Sequence, residues 1–224
     1  LKQEVEIFRN KLTHMLNFDI RFNIKNGDFE NIWKFHDPET IDKWIVTSDK
    51  DNIEGMSKAH FQFSENKTGV FHGYLNTETV KDGFNRYAGY CNIRSPGNYE
   101  SGFDVYDFDP FNTLLLKVRG DGRNYLLTIG QQKFYDVQNH DLYCYPLHTR
   151  GGPYWQTVMI PFSKFFLTSK GRLQDKQEPL NGSRVSNIGI SCQDGFDGPF
   201  HLEIDSIALL YDSSQISEFD YETY

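Results

Sequence analysis

Along most of this chain apolar and polar residues alternate with a period of two. Ala59, Phe61 and Phe63 interleave with His60, Gln62 and Ser64, and Val70 to Leu75 follows Gly69 as the return strand of a hairpin. Phe84 to Ile93, Tyr154 to Ile160, Asn187 to Cys192 and Phe200 to Leu210 are further candidate strands. Thr113 to Arg119 and Tyr125 to Gly130 flank Gly120-Asp121-Gly122-Arg123, where Asp121-Gly122 is a tight-hairpin signal. Many strands separated by Gly, Pro, Asp and Asn predict an all-β antiparallel sandwich, with a jelly-roll arrangement. The first residues differ. Leu1, Val5, Phe8, Leu12 and Met15 recur at helical spacing, which predicts an amphipathic helix over Leu1 to Leu16. Two roles fit that helix, packing on the domain's own surface or docking on a partner, and its mixed charges argue against a membrane surface. The chain therefore divides into an N-terminal helix and linker over 1–31, a β-sandwich over 32–211 and an acidic tail over 212–224. Gly171 to Gly182, rich in Gln, Asp, Lys and Glu, predicts an exposed loop.

Composition narrows the class. A hydrophobic share of 38% supplies a core, and 19 Phe with 13 Tyr favour half-buried pleated surfaces. The net charge of −8, with no basic stripe, argues against nucleic acid as a partner. Cys91, Cys144 and Cys192 are odd in number, far apart and without a CxxC pair. That disfavours both a thiolate zinc site and a disulfide framework, and leaves small buried hydrophobes in a reducing compartment. No apolar run reaches the roughly 20 residues needed to cross a bilayer. No targeting segment is visible from Leu1 onward.

A search for chemistry finds fragments. Gly189-Ile190-Ser191-Cys192-Gln193 lacks the final glycine of a nucleophile elbow. His201-Leu202-Glu203 lacks the paired cysteines of a zinc deaminase. As strand residues, His201, Glu203 and Asp205 share one face, read as the solvent side, with Leu202 and Ile204 turned to the core. The seven histidines form no short metal-ligand pattern. The Gly120 to Arg123 block runs into strand-like Tyr125 to Ile129, so it reads as a turn and not as a phosphate loop. In it Asp121 bonds turn amides, Gly122 takes a positive φ and Arg123 pairs with an acidic neighbour to fix strand ends. No catalytic, cofactor-binding or metal-binding residue is assigned, and partner-contacting residues are unknown.

Three blocks, Gly120 to Tyr125, Trp155-Gln156-Thr157-Val158-Met159-Ile160-Pro161-Phe162 and Gly198-Pro199-Phe200-His201-Leu202-Glu203-Ile204-Asp205, follow Trp44 to Ser57 in order. Together they resemble the mitochondrial complex I intermediate-associated protein family, over roughly Ile32 to Tyr211. The resemblance implies a galactose-binding-like β-sandwich. It also implies a non-catalytic assembly factor (chaperone) for mitochondrial respiratory complex I. Such a factor binds membrane-arm subunits and other assembly factors, and sits on the matrix side, peripheral to the inner membrane through partner proteins. A mitochondrial presequence is then expected upstream. The chain departs from the family pattern at Glu54-Gly55, where a double glycine is usual, and calcium at the surrounding Asp49 to Ser57 oxygens is a separate reading. The alternative function is a carbohydrate-binding module, for which Trp33, Trp44 and Trp155 are the stacking candidates and the sequons at Asn66 and Asn181 nominally suit secretion. Tryptophans buried in the sandwich argue against it.

Overall fold

The computed structural model describes residues 24–80, 88–97, 106–131, 141–215, 217 and 220–221. The expected Leu1 to Leu16 helix, the start of the Phe84 to Ile93 strand and part of the tail lie outside these residues.

Among the described residues, thirteen strands form two packed antiparallel sheets. The first contains β1 (Phe29–Lys34), β3 (Lys58–Phe63), β4 (Gly69–Leu75), β6 (Thr113–Gly120), β9 (Gln156–Pro161) and β13 (Gly198–Leu210). Its order is β3-β4-β13-β6-β9, and β1 pairs with the second half of β13. The second contains β2 (Ile45–Ser48), β5 (Cys91–Arg94), β7 (Asn124–Gln131), β8 (Asp141–His148), β10 (Phe166–Ser169), β11 (Arg172–Leu173) and β12 (Val185–Cys192), in the order β11-β10-β8-β7-β12-β5-β2. A short helix, α1 (Pro38–Asp42), starts where the Asp37 carboxylate accepts from the Thr40 amide, with Pro38 at its first position.

Period-two alternation builds the core. Phe71, Leu116, Val118, Leu202 and Ile204 from the first sheet meet Ile93, Leu127, Ile129, Ile188 and Ile190 from the second, all fully buried. Each such side chain contributes about 1.5–3 kcal/mol of transfer free energy. Trp33, Phe35, Trp44 and Phe61 form an edge-to-face cluster at one side, with Trp33 and Trp44 centroids 5.6 Å apart. All three cysteines are free and buried. Burial pushes the Cys91 and Cys192 thiols up to about 12, so they stay protonated hydrophobes.

The β3–β4 hairpin matches the alternation, with Phe61 opposite Phe71 and His60 opposite His72. The second expected hairpin does not form. β6 pairs with β13 and β9 in one sheet, while β7 pairs with β8 and β12 in the other, so Gly120 to Arg123 is an arch between sheets. Both strands bury their apolar faces by closing over the core, and local turn chemistry serves that closure. Gly122 has φ +94°. The Asp121 carboxylate accepts from the Arg123 amide at 3.0 Å, the Tyr125 hydroxyl at 3.2 Å and the His201 amide of β13 at 2.7 Å.

Arg123 then ties the sheet ends together. Its guanidinium donates to both carboxylate oxygens of Asp194 and to the Gly198, Pro199 and Phe196 carbonyls, which satisfies the donors of a mostly buried cation. Burial acts to raise the Asp194 carboxyl, but the Arg123 guanidinium and the Phe196 amide outweigh it and hold the group below the usual carboxylate range.

The Gly171 to Gly182 segment departs from a plain exposed loop. Arg172–Leu173 adds a strand to the β10 edge, and Gln177 is buried. The Gln177 amide accepts from the Leu167 amide at 2.6 Å and donates to the Leu167 carbonyl at 3.0 Å, filling the bonds of one more edge residue.

Asp49 organises the loop that leads out of β2. It is fully buried and accepts from the Ser57 amide, the Ser57 hydroxyl and the Gly89 amide at 2.6–2.9 Å. A Cβ on Gly55 would lie 2.3 Å from one of its oxygens, which explains the single glycine here. Glu54 is accommodated because its carboxylate turns outward to the Tyr90 hydroxyl at 2.9 Å.

Replacing Asp49 with Ala orphans two buried amides and should cost about 3 kcal/mol. In a domain of this size that lowers the thermal midpoint by about 6–12 °C, measured by calorimetry, and Gly55→Ala should shift it in the same direction. Arg123→Ala strands the buried Asp194 charge and should cost about 3–5 kcal/mol in a denaturant titration. Asp194 supports folding above its unfolded pKa near 4 and loses that support as pH falls through its lower folded value. The Arg123→Ala deficit therefore narrows under acid.

Candidate functional site

The outer face of the first sheet collects most of the polar side chains singled out in the sequence. In β13, Phe200, Leu202 and Ile204 point inward, so His201, Glu203 and Asp205 point outward as the alternation requires. Register then places His60, His72 and His201 in one row across β3, β4 and β13. The His60 and His72 rings are 5.5 Å apart, and His72 bonds Gln62 Oε1 at 3.2 Å. Burial, then the neighbouring His60 and His201, lowers the His72 pKa below the usual histidine value. Among the described residues no three His, Cys, Asp or Glu side chains sit close enough together to hold a metal ion.

The next row corrects an expectation. Glu203 lies on the outer face, yet it is 2% exposed and not a solvated group. Thr68 covers it and donates at 2.6 Å, Asn66 donates at 3.3 Å, and Arg119 of β6 donates through both Nε, at 2.9 Å, and Nη2. Burial acts to raise the Glu203 carboxyl, but the Thr68, Arg119 and Asn66 bonds prevail and hold it below the usual range. The sequon at Asn66 thus forms part of this cover. Asn181 of the other sequon accepts from the Ser183 amide at 3.0 Å and caps a short helical turn. Asp205 meets His36 at 3.3 Å and Lys117 at 3.5 Å.

The tryptophans divide. Trp44 is 5% exposed and Trp33 packs against the core beside it, so neither offers a stacking face. Trp155 stays on the outer face at 36% exposure, with Arg119 and Lys117 over its ring at 5.2 and 5.6 Å from the centroid. The three do not form a sugar platform.

Other fragments resolve into structure. Ser191 lies within β12, one residue before its end, pairs with strands on both sides and donates to Asn92 at 3.0 Å, so Gly189 to Gln193 is no nucleophile elbow. The carboxylate of Asp51 accepts from the Ser48 amide and hydroxyl, and Asp49 is filled by the donors described above. All three acids of that loop, Asp49, Asp51 and Glu54, accept from donors of the protein itself, and Ile53, 76% exposed at φ +61°, and Met56, 49% exposed, lie at its surface.

What this face can do is bind. It carries a histidine row, a compensated buried ion pair, a cation-flanked tryptophan and, on β9, the 61% exposed Met159. No sequence signal links Asn66, Thr68 and Arg119 to Glu203, because register and a β-bulge in β13 between Ile204 and Ser206 bring them together. Two pH responses follow. The unfolded state takes up a proton near pH 6.5 that His72 resists, so stability should fall as pH drops below that value, and His72→Gln should flatten the slope of thermal midpoint against pH. Glu203→Gln should cost about 1–3 kcal/mol at pH 7 by leaving Arg119 poorly compensated, with the loss shrinking below about pH 4 as the wild-type carboxylate also protonates.

Comparison with known proteins agrees with this architecture and gives it a lineage. Two solved structures of the family 11 carbohydrate-binding module from Clostridium thermocellum, one in complex with a beta-1,3-1,4-mixed-linked tetrasaccharide, superpose with TM-scores of 0.57 and 0.59. They cover 84% of this chain and 98% and 96% of theirs, at 16% and 15% identity, a likeness of fold alone. The chain is 42% identical over 228 residues to the Drosophila melanogaster protein named complex I intermediate-associated protein 30, mitochondrial, covering all of this chain and 77% of that one. It is 45% identical over 195 residues to the Mus musculus protein of the same name, covering 85% of this chain and 59% of the mouse protein. The family profile described as complex I intermediate-associated protein 30 (CIA30) matches residues 33–204, which include the Asp49 loop, the Gly120 to Arg123 arch, β9 and the Glu203 ion pair. By both profile and identity, the chain belongs to the complex I intermediate-associated protein 30 family.

Proposed function

We propose that this chain is a non-catalytic assembly factor for mitochondrial respiratory complex I. It holds membrane-arm intermediates together with other assembly proteins and leaves when native subunits arrive. The observation that carries the reading is the 42% identity along the full chain to a protein named for association with complex I intermediates. The relatives are named mitochondrial, and we place this chain on the matrix side, peripheral to the inner membrane through its partners. Among the described residues no helix is long and apolar enough to cross a membrane.

The architecture is compatible with that role. Polar side chains on the outer sheet face are mostly engaged with one another, which keeps the scaffold rigid. Exposed Tyr154, Trp155, Met159, Ile53 and Met56 provide apolar contact points of the kind enriched at protein interfaces.

Affinity purification of the tagged full-length protein from gently solubilised mitochondria should enrich membrane-arm subunits and assembly proteins of complex I. The finished enzyme's full subunit set should be missing. Recovery of none of those proteins, read by quantitative mass spectrometry, sinks the reading.

A further inference from the structure

Each sheet ends in two edge strands, and three of these four edges are occupied or too short to recruit another chain. α1 and β2 pack against β3, and β2 in turn faces β3. β11 is two residues long. β1, off that path, pairs with β13 alone and leaves a further edge, but it carries the charges of Glu30 and Lys34. β9 is the remaining edge without a charged residue, six residues long and bonded on one side to β6.

The phase of its backbone is readable. The Phe162 amide donates to the Asn112 carbonyl at 2.8 Å, in register with the β6–β9 pairing. In an antiparallel ladder hydrogen-bonded pairs alternate. Gln156, Val158 and Ile160 therefore turn their amides and carbonyls toward β6, and Thr157 and Met159 turn theirs outward. Among the described residues no other backbone group bonds to these outward ones.

Natural edge strands are guarded by charge, proline, bulges or a covering element. Trp155 to Ile160 contains no charged residue, and its register against β6 runs without a bulge. Pro161 stands only at its end. Tyr154, 78% exposed, and Met159 lie open beside it.

An extended polypeptide is the ligand whose groups match this edge. Charge selects among extended polypeptides. Lys117, directly opposite Thr157 in β6, is 48% exposed on the outer face, with Arg150 exposed before β9 and Lys164 exposed after it. Lys117 already pairs with Asp205 at 3.5 Å and Glu203 is taken by Arg119, so the positive charge left for a partner at this edge comes chiefly from Arg150 and Lys164, while Asp220 joins the Ser163 carbonyl through its amide. Antiparallel pairing with a second copy would bring two sets of these cations together. A partner segment carrying Asp or Glu would complement them.

We infer that β9 is a docking edge, on which an extended, acid-bearing segment of a complex I assembly intermediate adds as a further strand of the first sheet. The inference rests on the assembly-factor reading and names the surface that performs it. In the full-length protein expressed in mitochondria, a photo-crosslinking residue at position 159 should link to one extended segment of a complex I subunit or assembly protein. The same residue at Leu173, on the other sheet, should not. Thr157→Pro removes an outward amide without removing a β6 bond, and Met159→Lys adds like charge. Each should lower recovery of that protein by about tenfold or more, equivalent to about 1.4 kcal/mol, with unfolding midpoints kept within a few degrees. Wild-type recovery of complex I proteins that both variants leave unchanged overturns the docking edge and spares the assembly reading. A crosslink only to a second copy of this chain also overturns it. A wild type that recovers no complex I protein overturns both.

Discussion

One strand sets the geometry on which the rest of the sandwich depends. β13 is 13 residues long, and its two edges are filled by three partners, β4 and β1 in succession on one side and β6 on the other. Its inward residues bury against the second sheet, and its outward residues anchor Arg119, Lys117 and His36. The Gly120 to Arg123 arch is fastened to it twice, through Asp121 to the His201 amide and through Arg123 to the Gly198 and Pro199 carbonyls. The arch that joins the sheets and the polar layer on the outer face are both fixed to this one backbone. A slip of one residue along it would turn Leu202 and Ile204 to solvent and bury His201, so its register is under strong constraint.

The parts of the fold legible in the sequence are those where local pattern and tertiary packing agree. Alternation located β3, β4, β12 and β13, and the Asp121-Gly122 signal correctly marked a sharp reversal. Read locally, that signal predicts a hairpin, whereas a turn dipeptide specifies only how the chain bends and pairing partners are chosen by which apolar faces meet. Gln177 was hidden for a related reason. A polar side chain that completes the bonds of a sheet edge has the same local context as one in water. The strand β8 carries an alternation in Tyr143, Tyr145 and Leu147 with Pro146 exposed between the last two, a residue that argues against an interior strand when read alone.

The outer face shows why the site was less legible than the fold. Glu203, Arg119, Thr68 and Asn66 come from strands and a turn separated by up to 137 residues. Their mutual satisfaction is a property of register, which no short motif encodes. The family resemblance identified the lineage without identifying this arrangement, since the shared blocks mark turns and core strands. A non-catalytic role is consistent with such a face. Its polar groups hold each other in place, and contact with another molecule falls to the apolar and backbone groups left at the edges.

The placement of the three tryptophans has a practical consequence. Trp33 and Trp44 sit in ring contact beside the core, and their indole N–H groups have no hydrogen-bond partner among the described residues. Trp155 lies on the surface, under two cations and next to β9. The chain therefore carries two spectroscopically separable populations of the same fluorophore. One emits from a dry, apolar setting and reports on core integrity; the other emits from a wet, charged one and reports on what happens at the sheet margin. Red-edge excitation or selective quenching with iodide can follow the second while the first monitors the fold, in the unlabelled protein and at native sequence.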